Sequence, residues 1–109
     1  PNFTIEKALS QLDSGSILVV NINTGDITRN PNDEERTGKF YDENTGHFIV
    51  LKGYRIVDNK TYFEVYDPNN YNRYYDDGTE KGKDRYYLAT EVAYSVNNWK
   101  NEYLIISKK

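Results

Sequence analysis

The chain of 109 residues contains no cysteine, and this absence excludes several kinds of chemistry at once. Without a thiol, these residues form neither a disulfide nor a zinc–thiolate centre, and they hold no thiolate nucleophile. The absence gives no firm information about the redox compartment. Any reaction that needs a thiolate would have to obtain it from outside these residues.

The chain also lacks a long apolar run and a basic block. No stretch approaches the roughly 18 consecutive apolar residues of a membrane-spanning helix. The formal net charge is −3, whereas proteins that bind nucleic acid depend mainly on neutralising its phosphates. We therefore expect no membrane span and no nucleic-acid partner.

Aromatic side chains are abundant, with eleven tyrosines, four phenylalanines and one tryptophan. They supply the burial that disordered chains lack, so most of the chain is expected to fold. A length of 109 residues is enough for one hydrophobic core but not for two. We therefore predict a single domain over residues 1–109.

The first part of the chain predicts a short helix followed by a buried strand. Thr4 is suited to cap the helix and Gly15 to end it. Apolar residues recur between them at the helical spacing, namely Ile5, Ala8, Leu9 and Leu12. Residues 17–22 are nearly all β-branched or leucine, which is typical of a buried strand. If a layer of the fold were missing, the apolar face of this helix would be exposed.

The middle of the chain predicts a β-hairpin between two loops. Residues 48–57 and 61–66 are rich in strand-forming side chains, and the polar residues 58–60 between them suit a turn. The flanking stretches 23–45 and 67–85 are polar and contain glycine and proline, so we expect two long loops. Phe40 and Tyr41 are candidate anchors of the first loop in the core.

The last part of the chain predicts a strand, a helix and a strand. Residues 86–88 suit a short strand, and Thr90 is placed to cap a helix whose apolar positions are Val92, Ala93, Val96 and Trp99. Residues 102–107 suit a closing strand. Together these elements predict an α+β fold, a mostly antiparallel sheet with short flanking helices.

The most suggestive pair of polar residues consists of the only histidine, His47, and Asp67. His47 opens the first hairpin strand and Asp67 follows the second, so antiparallel pairing brings them to the same end of the sheet. A carboxylate that holds one imidazole nitrogen leaves the other to act as a base. On spacing alone, a strand-edge histidine and an Asp-Pro turn remain the simpler interpretation.

A family resemblance favours the catalytic interpretation. Residues 46–54 (GHFIVLKGY) and 62–68 (YFEVYDP) resemble the second half of papain-like cysteine peptidases. The nearest likeness is to the bacteriocin-processing type that recognises double-glycine leaders. The resemblance implies that His47, in a Gly-His motif, is the base and that Asp67, in an Asp-Pro motif, orients it. It covers most of the chain but only the C-terminal, His/Asp half of a complete enzyme, because the family's cysteine and oxyanion-hole glutamine have no counterpart here.

The resemblance implies a His/Asp-bearing subunit or fragment of a peptidase that acts on peptide or protein substrates. A complementary chain or segment would supply the cysteine, and this chain alone is expected to be inactive. A secreted or cell-surface location is a further expectation.

One alternative is an inactive peptidase-like module that binds a peptide or protein through its tyrosine-rich loop, at Tyr71, Tyr74 and Tyr75. Another is a carbohydrate-binding or surface-adhesion domain. The same tyrosines would suit neither role if they folded back on the sheet.

Two further patterns in the sequence have residue types that occur in functional sites. The acidic run Asp76-Asp77-Gly78, with Glu80 and Asp84 nearby, does not have the ligand spacing of an EF-hand, so it predicts an acidic turn. We expect no metal and no other cofactor. Ser14 and Ser16 flank a glycine outside any Gly-x-Ser-x-Gly elbow, which indicates serines at a helix end.

Overall fold

A computed structural model describes residues 2–32, 34–69 and 72–107. The elements are two helices, α1 and α2, and five strands, β1 to β5, with one short 3-10 turn after β1. In chain order they are α1 (Ile5–Asp13), β1 (Ile17–Asn23), the turn (Thr24–Asp26), β2 (Gly46–Val57), β3 (Lys60–Tyr66), β4 (Arg85–Leu88), α2 (Ala89–Asn98) and β5 (Tyr103–Ile106). The predicted α+β class is confirmed.

The five strands form one antiparallel sheet in the order β4-β3-β2-β1-β5. The core lies between one face of this sheet and the two helices, because alternate residues of a strand point to the same side. The sheet contributes Leu18, Val20, Ile22, Ile49, Leu51, Phe63 and Val65, and the helices contribute Ala8, Val92 and Val96. None of the helices in the described part of the chain is both long and apolar enough to cross a membrane.

Helix α1 forms as its sequence predicts. The Thr4 hydroxyl accepts a hydrogen bond from the Lys7 N–H at 3.2 Å, and Gly15 follows the helix with a φ of +92° that favours glycine. Ala8 is buried, and the other apolar positions of this helix pack partly buried against the core. The helix therefore does not present the fully exposed apolar face that a missing layer would leave.

The predicted hairpin is present, with a tighter turn than expected. Lys60 already pairs with Val57, so the turn consists of Asp58 and Asn59. Both have positive φ, 51° and 65°. Two-residue hairpin turns with positive φ at both residues are common because their backbone twist matches the right-handed twist of the two strands. Between Leu51 and Gly53 the register shifts by one residue, a β-bulge in β2.

Helix α2 corrects one expectation. It begins at Ala89 with Leu88 at the N-cap position and no side-chain cap, so Thr90 lies inside the first turn and does not cap the helix. The physical reason is that β4 leads directly into α2 without a loop. Trp99 does not share the buried face of the helix either, because the helix ends at Asn98 and the indole is 41% exposed. The anchors Phe40 and Tyr41 are buried as predicted.

Candidate active site

The structure brings His47 and Asp67 together at one end of the sheet. His47 is the second residue of β2, and Asp67 directly follows β3. The imidazole Nε2 lies 3.0 Å from Asp67 Oδ1, within hydrogen-bond distance. The proximity predicted from the hairpin is therefore present in the folded chain.

The Asp67 carboxylate is fully buried, and both of its oxygens are occupied. Oδ1 accepts from His47 Nε2 and from the Asn69 N–H, each at 3.0 Å. Oδ2 accepts from the hydroxyls of Tyr41 at 2.6 Å and Tyr87 at 2.5 Å. A buried charge without such partners would be strongly destabilising, so the two tyrosines allow the carboxylate to remain in the protein interior.

These contacts determine the protonation states at the site. Burial acts to raise the pKa of Asp67, but the hydrogen bonds from His47, Tyr41 and Tyr87 outweigh it and hold the pKa below its ordinary value. Burial and the Asp67 charge raise the pKa of both tyrosine hydroxyls. The carboxylate is therefore ionised and accepts a hydrogen bond from the His47 Nε2–H, which leaves Nδ1 as the ring nitrogen available to act as a base.

His47 combines this buried partner with access to solvent. Its side chain is 19% exposed. It lines an open cavity of about 340 Å³ together with Thr45, Gly46, Pro68 and Asn69. Within the described part of the chain, Nε2 is the only ring nitrogen of His47 with a hydrogen-bond partner. The geometry suits a base whose free nitrogen receives a proton from a group placed in or beside this cavity.

The residue before the histidine is glycine for a steric reason. A Cβ atom at Gly46 would lie 2.5 Å from Cζ2 of Trp99, closer than carbon atoms can approach. The indole at the end of α2 thus packs directly on the backbone that begins β2. The helical pattern assigns Trp99 to the apolar positions of the helix, and its contact with Gly46 follows only from the fold.

A buried arginine joins the two long loops beside the site. Arg85 Nε donates to the Gly38 carbonyl at 2.9 Å, and Nη1 donates to the Tyr75 hydroxyl at 2.9 Å. The guanidinium also lies over the Phe40 ring, 5.2 Å from its centroid. Arg85 is fully buried, and its contacts hold the first loop against the second. The composition of the polar stretch that ends at Arg85 does not indicate that this residue lies in the interior.

The predicted tyrosine-rich surface is only partly present. Tyr74 is 54% exposed, whereas Tyr75 is buried beneath Arg85 and donates from its hydroxyl to the Lys81 carbonyl. This corrects the expectation that Tyr75 faces a partner, because its ring and hydroxyl are used inside the fold. Tyr71 lies outside the described residues.

The remaining candidate patterns have structural partners. Asp77 accepts from the Thr79 N–H and pairs with Arg36, and Asp84 pairs with Lys52. Among residues 2–32, 34–69 and 72–107, no group of three or more acidic or histidine side chains is placed to hold a metal ion. The Ser14 hydroxyl donates to the Gln11 carbonyl at 2.8 Å, as expected of a serine at a helix end.

The lowered pKa of Asp67 predicts how stability depends on pH. Because the folded pKa lies below the unfolded value, the stabilisation is complete above about pH 4 and is lost as the pH falls through the folded pKa. Urea unfolding followed by Trp99 fluorescence at several acidic pH values should show this decline in the native chain. It should be much weaker in Asp67→Asn, whereas Asp76→Asn, at an exposed position, should follow the native curve. Parallel curves for the native chain and Asp67→Asn would contradict the assignment of an ionised Asp67.

Comparison with known protein families gives a match over most of the chain. The family model described as Peptidase_C39 like family matches residues 2–94, which include both His47 and Asp67. The predicted likeness to cysteine peptidases is thereby confirmed at the level of this family. No curated protein and no solved structure matches the chain.

Proposed function

Because the chain belongs to the Peptidase_C39-like family, we propose that it is the His/Asp-bearing part of a papain-like cysteine peptidase. It would act on peptide bonds, with the nucleophilic cysteine supplied by a segment or chain outside these residues. The observation that carries the proposal is the 3.0 Å contact between His47 Nε2 and the buried Asp67 carboxylate. The C-terminal-half assignment, the double-glycine-leader subtype and a secreted or cell-surface location belong to the same proposal.

In the proposed reaction His47 first acts as a base. Its Nδ1 takes the proton of the incoming thiol, and the thiolate attacks the carbonyl carbon of the substrate peptide. The imidazolium then gives that proton to the leaving amine as the C–N bond breaks, which leaves a thioester. Water hydrolyses the thioester with His47 again as the base. Asp67 stabilises the imidazolium and keeps the ring oriented throughout, without itself becoming protonated.

Tyr41 and Tyr87 act as positioning residues in this scheme. Both donate to Oδ2, so that Oδ1 remains directed at His47. They come from different parts of the chain, the first loop and β4, and therefore fix the carboxylate relative to the whole sheet. Because hydrogen bonds already hold the carboxylate at both oxygens, little additional conformational entropy is lost when it orients the imidazole.

A binding module without catalytic activity is the second candidate. It is favoured by the absence of cysteine and by the exposed ring of Tyr74 in the second loop. Tyrosine side chains are common at protein interfaces because they combine a large apolar ring with a hydroxyl. In this case the His47–Asp67 pair would be a structural contact that remains from an active ancestor.

The test compares the chain with and without a cysteine-bearing segment. The isolated chain should not hydrolyse peptides or react with thiol alkylators, because it has no thiol. Joining a cysteine-bearing segment from upstream in the parent reading frame, or adding it as a separate chain, should produce turnover measured with fluorogenic peptides. The matched control replaces the cysteine of that segment by alanine. Turnover by the isolated chain would show a different nucleophile, and an inactive but folded extended protein would favour the binding module.

A further inference from the structure

Lys39, in the first loop, is a buried lysine that has no part in the proposed reaction. Only 4% of the residue is exposed. Its side-chain Nζ donates to the Thr24 carbonyl at 2.7 Å and lies 3.4 Å from both the Glu43 carbonyl oxygen and Asn44 Oδ1. An ammonium group has three N–H donors, so these oxygens surround it with acceptors. Lysine is among the residues least often buried, and the position of this one therefore requires an explanation.

One set of contacts connects Lys39 to the segment that leads into His47. The residues just before β2 are bonded to Thr24, in the turn after β1. The Thr24 N–H donates to the Thr45 carbonyl at 2.9 Å, and the Thr24 hydroxyl accepts from the Thr45 N–H at 2.9 Å. The same hydroxyl donates to the Glu43 carbonyl at 2.8 Å. Because Lys39 Nζ bonds to the Thr24 carbonyl and lies beside the Glu43 carbonyl, it ties the start of β2 to this turn.

A second contact connects Lys39 to Asp67 through Tyr41. Lys39 Nζ lies 5.7 Å from the centroid of the Tyr41 ring, within the range of a cation–π contact. The hydroxyl of the same ring donates to Asp67 Oδ2 at 2.6 Å. Lys39 therefore also restrains the tyrosine that holds the carboxylate.

The oxygens beside Nζ do not need this lysine to satisfy them. The Thr24 carbonyl also accepts from the Ile27 N–H at 3.1 Å. The Glu43 carbonyl accepts from the Thr24 hydroxyl, and Asn44 is exposed to solvent. Removal of the ammonium would therefore leave none of these three oxygens buried without a partner.

The charge of Lys39 is a cost to folding. Burial lowers the pKa of its amine, although the charges of Asp42, Asp67 and Asp26 act to raise that pKa and Arg29 acts to lower it further. A lysine with a lowered pKa binds its proton less tightly in the folded chain than in the unfolded chain, so its protonation opposes folding. An apolar side chain of similar length could therefore replace it without loss of stability. Natural chains accept local costs of this kind mainly at functional sites.

We propose that Lys39 is a positioning residue that fixes His47 and Asp67 relative to each other. Its ammonium contacts both the segment that precedes His47 and the tyrosine that holds Asp67. Loss of the ammonium should make the contact between His47 Nε2 and Asp67 Oδ1 open more often, while the fold is retained. The consequence for peptide hydrolysis rests on the proposed function, whereas the effect on this contact does not.

The test measures the hydrogen bond between His47 and Asp67 in the isolated chain. His47 is the only histidine, so isotopically labelled histidine gives NMR signals from this ring alone. Lys39→Met removes the ammonium and keeps an unbranched side chain of similar length. At a fixed pH at which the ring is neutral, exchange of the Nε2 proton with water should be about three- to tenfold faster, the effect of one net hydrogen bond on a local opening equilibrium. The urea concentration at half-unfolding should not fall. Lys60→Met, at the exposed hairpin turn, should match the native chain in both measurements.

A double replacement tests the connection through Tyr41. Lys39→Met should accelerate exchange less in a Tyr41→Phe chain than in the native chain, because the hydroxyl that transmits part of its effect is already absent. Equal acceleration in both chains would overturn this connection. Lys39→Gln, which is uncharged but polar, is a second variant and should also exchange faster than the native chain.

Unchanged exchange in both Lys39→Met and Lys39→Gln would overturn the proposal. So would faster exchange with an equal loss of global stability, or failure of both variants to fold, because Lys39 would then support the fold as a whole. None of these measurements needs a cysteine or a substrate. Failure of this proposal can therefore be distinguished from failure of the proposed peptidase function, which is tested by turnover.

Discussion

In the proposed peptidase, completed by a cysteine-bearing segment, replacing His47 by alanine should lower kcat by about 10⁴- to 10⁶-fold. In the proposed reaction the variant loses both the base that activates the thiol and the acid that protonates the leaving amine, because both roles belong to the same ring. Single-turnover kinetics with a peptide substrate would measure the loss. Lys60→Ala is the matched control, since Lys60 is exposed at the far end of the hairpin, and its kcat should be unchanged.

The same measurement distinguishes a catalytic histidine from a structural one. A His47→Ala protein that unfolds at the same urea concentration as the native protein but does not turn over substrate would assign the base. A loss of less than about tenfold would be too small for removal of a general base. That result would mean that another group activates the cysteine and that His47 has only a structural role in β2.

Replacing Asp67 by alanine should destabilise the chain by about 3–5 kcal/mol. The substitution removes the acceptor that the hydroxyls of Tyr41 and Tyr87 share with His47, so each of these groups loses a hydrogen bond in or beside the protein interior. Asp67→Asn keeps one acceptor oxygen and should cost less. Urea unfolding at neutral pH measures the difference, with Asp76→Ala as an exposed acidic control expected to change stability by less than about 0.5 kcal/mol.

Two partial replacements identify which contacts cause that loss. Tyr41→Phe and Tyr87→Phe each remove one hydroxyl and leave Asp67 with its remaining partners, so each should cost about 1–3 kcal/mol. Because both hydroxyls bond to the same oxygen, their effects should not be additive. If Asp67→Ala changed stability by less than either tyrosine variant, the carboxylate would not be the centre of this network.

The hairpin shows what local sequence can predict about the fold. Its strand-forming runs and the polar residues between them are sufficient to predict the hairpin, because the structure of a turn and its two strands depends on residues that are close in sequence. The error of one residue at Lys60 arose because Asp58 and Asn59 adopt positive φ without a glycine. The start of α2 at Ala89 was missed for a similar reason, since no capping residue marks a helix that continues directly from a strand.

The candidate site also has one part that the local sequence predicts and another part that it does not. His47 and Asp67 were predicted because the hairpin itself brings them together and because the surrounding residues resemble a peptidase family. Tyr41 and Tyr87 were not assigned to the site, since their positions relative to Asp67 depend on how the first loop and β4 pack on the hairpin. Burial of Arg85 and Tyr75 also depends on tertiary contacts between loops, for which the composition of a polar stretch gives no signal.

The position of β1 affects how this chain can fold as it is synthesised. β1 lies between β2 and β5 in the sheet, but β2 and β5 are made at very different times. As domains fold from the N-terminal side during translation, β1 can pair with β2 while its other edge still has no partner. That edge bears Val19 and Val20 and stays available to strands of other nascent chains until residues Tyr103–Ile106 have been added. Truncation just before β5 should therefore favour aggregation through this edge alone, and truncation within the second loop should favour it more, because β3 then also lacks β4 and the core lacks α2.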